Sequence, residues 1–257
     1  MSNLQFFKQA VAQLIGTIPT PWRIEVVEHT GSTNSDLISR LQSGDCPDYT
    51  VLIALAQTSG RGRLSRSWST PQESCLAISM AVPLRGNPAD WGLIPLAAGV
   101  GVVYAFDTFG VHCQLKWPND VLIDQRKVAG ILVEATTSTA VIGVGINVTQ
   151  TEAELEYPTA ISLAIAKSTI RRPQVAAAVL VAMNQVLDWL DTPSGWADLI
   201  EVYRDRSATI GRKVRVYRSE RDWFEGQALD VTSDGRLLVN IDSQPTAIAS
   251  GDVFHLR

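Results

Sequence analysis

Three arginines, Arg61, Arg63 and Arg66, stand between Gly60 and Trp68, interleaved with Gly62, Ser65 and Ser67. Glycine lets backbone N–H groups approach a ligand and take positive φ, and each guanidinium offers a planar fork of donors suited to phosphate or carboxylate. The stretch reads as a mobile clamp for an anion, either part of a nucleic-acid-binding patch or a phosphate clamp in an enzyme that uses a nucleotide. With two glycines, two serines and three like charges it can bury little apolar surface, so it is expected to order only when an anion binds. Lys127 heads the apolar run from Val128 to Val133, where a lysine either snorkels at a strand edge or faces a ligand. Ser32 and Thr33 sit at a helix start, where small hydroxyls either cap the helix or donate to a polar ligand atom. Gly143 and Gly145 share one face of a strand and leave it bare for a ligand or another backbone.

Composition narrows these choices. A formal net charge of -4 and a pI near 5.4 oppose a chain whose main business is binding polyanions. Three cysteines, Cys46, Cys75 and Cys113, form no CxxC pair, so neither a disulfide framework nor a zinc site is indicated, and a reducing, cytoplasmic setting is expected. His29, His112 and His255 lack metal-ligand spacing, and no metal site is assigned. No third glycine follows Gly143 and Gly145 at dinucleotide spacing, and no GxxxxGK[ST] loop occurs. The apolar residues near the start are interrupted by Lys8 with no basic segment before them, which is unlike a signal peptide. Residues 91–109 come closest to a membrane span, but Pro95, Gly99 and Gly101 suit a buried helix better.

The elements that must position these residues follow from periodicity. Alternating or continuous apolar runs predict strands over 23–28, 49–56, 74–82, 127–134 and 139–148, with a strand pair over 114–124 pinched at Pro118-Asn119-Asp120. Helices are expected from the Ser32–Asn34 cap to Leu41, and over 87–109, 159–168, 174–190 and 195–206. From residue 211 the texture changes to short strands at 213–217, 223–231, 237–241 and 246–249, with turns at 219–222 and 233–235. The expected fold is α+β, a mixed central sheet backed by helices over residues 1–210, with a small C-terminal β-barrel over residues 211–257. Trp68, taken alone, reads as a hydrophobic anchor for the clamp.

Four stretches, GRGR…W from Gly60 to Trp68, KWPND from Lys116 to Asp120, KxAGILVE from Lys127 to Glu134 and GxGIN from Gly143 to Asn147, together resemble the biotin protein ligases of biotin–[acetyl-CoA carboxylase] ligase type. The likeness spans nearly the whole chain. It implies a catalytic domain with an SH3-like C-terminal domain, and a reaction in which biotin and ATP, with Mg²⁺, give biotinyl-AMP before biotin passes to a lysine of a biotin carboxyl carrier domain. It implies that Ser32, Thr33 and Gln57 meet the biotin head group. Gly60, Arg61, Gly62 and Arg63 would fold over biotin and the adenylate phosphate, and Lys127 would lie between carboxylate and phosphate. Gly130, Gly143 and Gly145 would thin the strands under biotin, and Trp68, Asn119 and Asn147 would join Arg63 at the nucleotide. Catalysis is expected from Lys127, Arg63 and Asp120, the last orienting or deprotonating the acceptor lysine.

Where some relatives of that type have Arg-Gly, this chain has Leu64-Ser65, so the outer half of the clamp is less cationic. Only about twenty residues precede the first strand, fewer than a three-helix DNA reader needs, so a monofunctional enzyme is expected, with no DNA or membrane partner and with a homodimer left open. The alternatives are lipoate or octanoate transfer to a carrier protein, against which the clamp and the KWPND corner argue, and a DNA-binding regulator.

Overall fold

A computed structural model describes residues 2–16, 18–71, 73–84, 88–219 and 222–256. Part of the turn expected at 219–222 and the first residue of the helix expected at 87–109 lie outside them. The first sheet has the order β1-β2-β3-β7-β6-β5-β4. Its strands are β1 (Arg23–Thr30), β2 (Thr50–Gln57), β3 (Cys75–Pro83), β4 (Gln114–Lys116), β5 (Asp120–Ile123), β6 (Arg126–Ala135) and β7 (Thr139–Asn147). β1 and β2 run parallel and every other pair is antiparallel, which makes the sheet mixed.

Alternation along the strands decides what each face meets. Ala140, Ile142, Val144 and Ile146 of β7 join Val51, Ile53 and Leu55 of β2 in the main core. That core lies under α1 (Asn3–Ile15), α3 (Ile94–Asp107), α4 (Arg172–Leu190) and α5 (Gly195–Asp205). The opposite face is covered by one short helix, α2 (Thr33–Ser43), through a small cluster of Leu37 with Leu52, Ala81 and Val141. Since side chains two apart share a face, Gly143, Gly145 and Asn147 continue the Val141 face beyond α2. The sequence thus leaves a concavity there, with helices thick on one side and glycines on the other.

Two helix expectations are corrected. The stretch 87–109 splits into a 3₁₀ turn, Pro88–Leu93, followed by α3, because Pro95 sits in the first turn of the α-helix, where its missing N–H costs nothing. Residues 159–168 are not helical. Their backbone bonds go to the sheet: Lys127 N–H donates to Thr159 O (2.7 Å), Ile161 N–H to Lys127 O (2.9 Å) and Leu163 N–H to Asn147 O (3.1 Å).

The second sheet comprises β8 (Lys213–Tyr217), β9 (Trp223–Val231), β10 (Leu237–Ile241), β11 (Gln244–Ile248) and β12 (Asp252–His255), in the order β11-β10-β9-β8-β12. Its pairs are antiparallel, and the strand pairing runs from edge to edge without closing into the expected barrel. β12 was absent from the pattern-based expectation because four residues ending the sheet carry too few alternations to register. Among the described residues no helix is long and apolar enough to cross a membrane.

Candidate active site

The concavity is a cleft of about 410 Å³ running along the Gly143–Gly145–Asn147 line, lined by residues from both ends of the first sheet, from the clamp and from β12. At one end, α2 begins directly after β1. Ser32 is its N-cap residue but makes no capping hydrogen bond through its side chain, and it is buried, as is Thr33. Gln57, the last residue of β2, accepts from Thr33 N–H (2.9 Å) and Thr33 Oγ1 (3.1 Å), and its Nε2 donates to Thr70 Oγ1 (3.1 Å). Beneath them the fully buried Ser79 Oγ lies 2.7 Å from Thr33 Oγ1 and 2.6 Å from Asn34 Oδ1. Asn34 Nδ2 reaches Glu134 at 3.0 Å. This end presents fixed donors and acceptors in a largely buried setting, where each is worth more than in bulk water.

In the middle, Lys127 Nζ stands 2.6 Å from Asp120 Oδ1 and 5.4 Å from the centre of the Trp68 ring. Asp120 Oδ2 lies 3.7 Å from Lys116 Nζ, so one carboxylate is shared by two ammonium groups. Burial pushes the Lys116 ammonium below its ordinary value despite that carboxylate. The register explains the meeting: Asp120 pairs with Gly130 and Leu122 with Lys127, with a bulge between Val121 and Leu122. Trp117-Pro118 is a cis peptide, and Asn119, at the corner, donates to Ile131 O at 2.7 Å.

The clamp spans Gly60 to Trp68. It is a small hairpin closed over the cleft, with Arg61 bridged to Ser67, Gly62 N–H donating to Arg66 O (2.7 Å) and Trp68 N–H to Gly60 O (2.9 Å). Its tip takes a left-handed turn at Leu64, φ 52°. Arg61 turns to Glu134 (2.7 Å) and Ser35 (3.1 Å). Arg63 reaches Asn119 Oδ1 (3.3 Å) and Gly251 O (3.4 Å), and burial lowers its pKa. Arg66 pairs with Asp252. The charges meet partners from distant elements, which local composition cannot register.

The bare strand face is filled from within. A Cβ at Gly145 would lie 2.3 Å from the Trp68 indole, and one at Gly143 would lie 2.2 Å from Asn34 Oδ1. Trp68 therefore anchors the clamp on Gly145, and its Nε1 is buried with no partner among the described residues.

Of the residues singled out from sequence, Ser32, Thr33, Gln57, Arg61, Gly62, Arg63, Trp68, Asn119, Asp120, Lys127, Gly130, Gly143, Gly145 and Asn147 line this one cleft. Gly60 stands behind it, where a Cβ would collide with Trp68 O at 2.3 Å. Sequence reasoning missed Asn34, Lys116 and Gln150, which also line it. Asn34 and Lys116 lie inside stretches already singled out, whereas Gln150 had no local signal. Among the described residues no cluster of three or more His, Cys, Asp or Glu could hold a metal.

The sequence model of the biotin/lipoate A/B protein ligase family matches residues 26–149, and that of the biotin protein ligase C-terminal domain matches residues 209–256. The biotin--[acetyl-CoA-carboxylase] ligase of Mycobacterium tuberculosis is 37% identical over 253 residues, covering 95% of this chain and 93% of its own length. The bifunctional ligase/repressor BirA of Escherichia coli is 30% identical, covering 91% of this chain and 73% of its own. Among solved structures, the biotin protein ligase of Aquifex aeolicus in complex with biotin and ATP superposes with a TM-score of 0.75 at 26% identity, covering 91% of this chain and 99% of that one.

Proposed function

The chain belongs to the biotin protein ligase family, and we propose that it joins biotin to a lysine of a biotin carboxyl carrier domain at the expense of ATP. The observation that carries this reading is the order of groups along one cleft: fixed donors and acceptors at Thr33 and Gln57, the Lys127–Asp120 pair in the middle, and Asn147 beyond. A biotin head group suits the first end, since its ureido ring needs both donors and acceptors.

In the first step the biotin carboxylate oxygen attacks the α-phosphorus of ATP. The bond from that phosphorus to the bridging oxygen breaks, and pyrophosphate leaves. Two anions must approach, and Lys127 and Arg63 lower the cost by neutralising charge that develops between them. In the second step the acceptor amine attacks the acyl carbon, the acyl–oxygen bond breaks, AMP leaves and the amine loses a proton. Asp120 orients Lys127 and takes that proton. Mg²⁺ would enter with the triphosphate, which supplies most of its oxygen ligands, as is usual for this ion. That fits a cleft in which, among the described residues, no three acidic groups gather into a metal site of their own.

We assign catalysis to residues 1–210 and a separate C-terminal domain to residues 211–257, place the protein in the cytoplasm, and include neither DNA nor membrane among its partners. The lipoyl branch of the family is not favoured, because the relatives matched along most of the chain are biotin ligases and the C-terminal match is to a biotin ligase domain. Incubation with biotin, MgATP and a carrier domain should add one biotinyl group to the acceptor by intact mass, with release of pyrophosphate. Octanoyl or lipoyl transfer without biotinylation would refute the reading.

A further inference from the structure

We infer that Gln150 selects the nucleotide base, its Oε1 accepting a hydrogen bond from an exocyclic amine. This deepens the ligase reading and rests on it. Gln150 is 2% exposed and lines the cleft, yet its Oε1 is buried with no partner among the described residues.

Which end of each amide faces which neighbour is fixed by a chain of bonds. The Ile161 carbonyl can only accept, so Asn147 must present Nδ2 to it (3.1 Å) and turn Oδ1 the other way. Gln150 must then donate through Nε2 to Asn147 Oδ1 (2.9 Å), which leaves Oε1 as the end without a bond. Ser162 Oγ donates to Gln150 O at 2.6 Å and holds the backbone in place. The unmatched atom is therefore an acceptor, and it is rigidly mounted.

Its position names the part of the ligand it serves. Gly143, Gly145 and Asn147 share one face of β7 and rise by roughly 6.7 Å per pair, so Asn147 lies about 13 Å along the cleft from the end where Asn34 meets Gly143. Lys127 Nζ stands between, 2.9 Å from where a Cβ on Gly130 would lie, and Gly130 pairs with Gly145, midway from Gly143 to Asn147. With the biotin head group at the Thr33 end and the reacting phosphate at Lys127, the base falls at Asn147 and Gln150. A buried acceptor has already lost its water, so a ligand N–H gains the full bond, whereas a carbonyl at the same place sets two acceptors against each other. Adenine carries an amine there; guanine and hypoxanthine carry oxygen.

The test compares biotinylation with ATP, with purine riboside triphosphate, which bears hydrogen in place of the amine, and with N6,N6-dimethyl-ATP. It uses the wild-type protein and Gln150→Met, which keeps side-chain length but replaces the amide oxygen with a thioether, only a weak acceptor. Wild type should show kcat/KM about tenfold higher for ATP than for the purine riboside nucleotide, narrowing to roughly twofold or less in Gln150→Met because the ATP rate falls. Both nucleotides are assayed on one preparation, so loss of folded protein cancels from the ratio. Equal losses with both nucleotides, as a merely structural role would give, or a wild type that treats them alike, overturn the inference. Should the variant not fold, the wild type decides with N6,N6-dimethyl-ATP: unimpaired use overturns the assignment, and a loss of about tenfold or more upholds it. No biotinylation with any nucleotide would instead remove the ligase reading, and this inference with it.

Discussion

Lys127 Nζ has two partners in the structure, Asp120 at 2.6 Å and the face of Trp68. Removing its charge leaves Asp120 still held by Lys116, so the local fold keeps a counter-ion while the reacting anions lose theirs. Lys127→Ala should therefore cost adenylation about 3–4 kcal/mol of transition-state stabilisation, roughly 10²–10³ in rate, with an unchanged circular dichroism spectrum. Pyrophosphate release measured with biotin and ATP checks this, and near-normal release by the folded variant would contradict it. Lys127 was ambiguous by position alone, and only the surrounding motif gave it a role. Ser32, Thr33 and the strand glycines were legible because each carries a local signal, a small hydroxyl at a helix start or a missing side chain on a buried strand. Gln150 was not, since a glutamine in a loop carries no such signal until its partners from β7 and the 159–168 segment are known.

At the scale of elements, the clamp shows what composition can and cannot predict. Its residues bury little apolar surface, as expected, but Arg61, Arg63 and Arg66 are tied to β6, to the KWPND corner and to β12. The last tie crosses to the C-terminal sheet, where Asp252 is the more buried partner, its side chain 16% exposed against 53% for Arg66. Asp252→Ala should loosen the hairpin, raising trypsin cleavage after Arg61 and Arg63 severalfold, about what losing 1 kcal/mol of closure would give. Peptide mass spectrometry over a time course reads this directly, and biotin with ATP should slow cleavage in both proteins. Equal cleavage of variant and wild type would mean that β12 does not hold the clamp. Strand positions were legible throughout the first sheet because burial on one or both faces imposes a period of two or a continuous apolar run. The 159–168 segment was misread as a helix because its apolar spacing suits one, while its backbone is taken up by Lys127 and Asn147, partners remote in sequence.

The described residues form two sheets held together through the Lys116–Asp120 corner. Trp117, fully buried, donates through Nε1 to Gly235 O (3.0 Å) and through its backbone N–H to Thr209 Oγ1 (3.1 Å). Arg204 reaches Asp230 (2.8 Å) and Val231 O (2.6 Å). Thr209 Oγ1 also lies 3.2 Å from His255 Nε2 on β12. Burial is the main cause that lowers the His255 pKa from 6.5 to about 4, with Lys116 and Arg212 acting in the same sense and Asp120 against them. The folded protein thus keeps this imidazole neutral at a pH where the unfolded chain protonates it. As pH falls through about 6.5 the unfolded state takes up a proton that the folded state refuses, so stability declines down to about 4, below which both states are protonated and the contribution levels off. Carboxylates add their own acid dependence, so the measurement is a difference: melting temperature against pH for wild type and for His255→Gln, which can still bond Thr209 but does not titrate. Wild type should lose stability relative to the variant between pH 6.5 and 4, and parallel curves would refute the assignment. Because Lys116 is among the causes, an anion bound in the cleft should partly offset its charge, raise the His255 pKa and reduce that slope, which ties the acid sensitivity of the C-terminal sheet to occupancy of the site it helps to hold together.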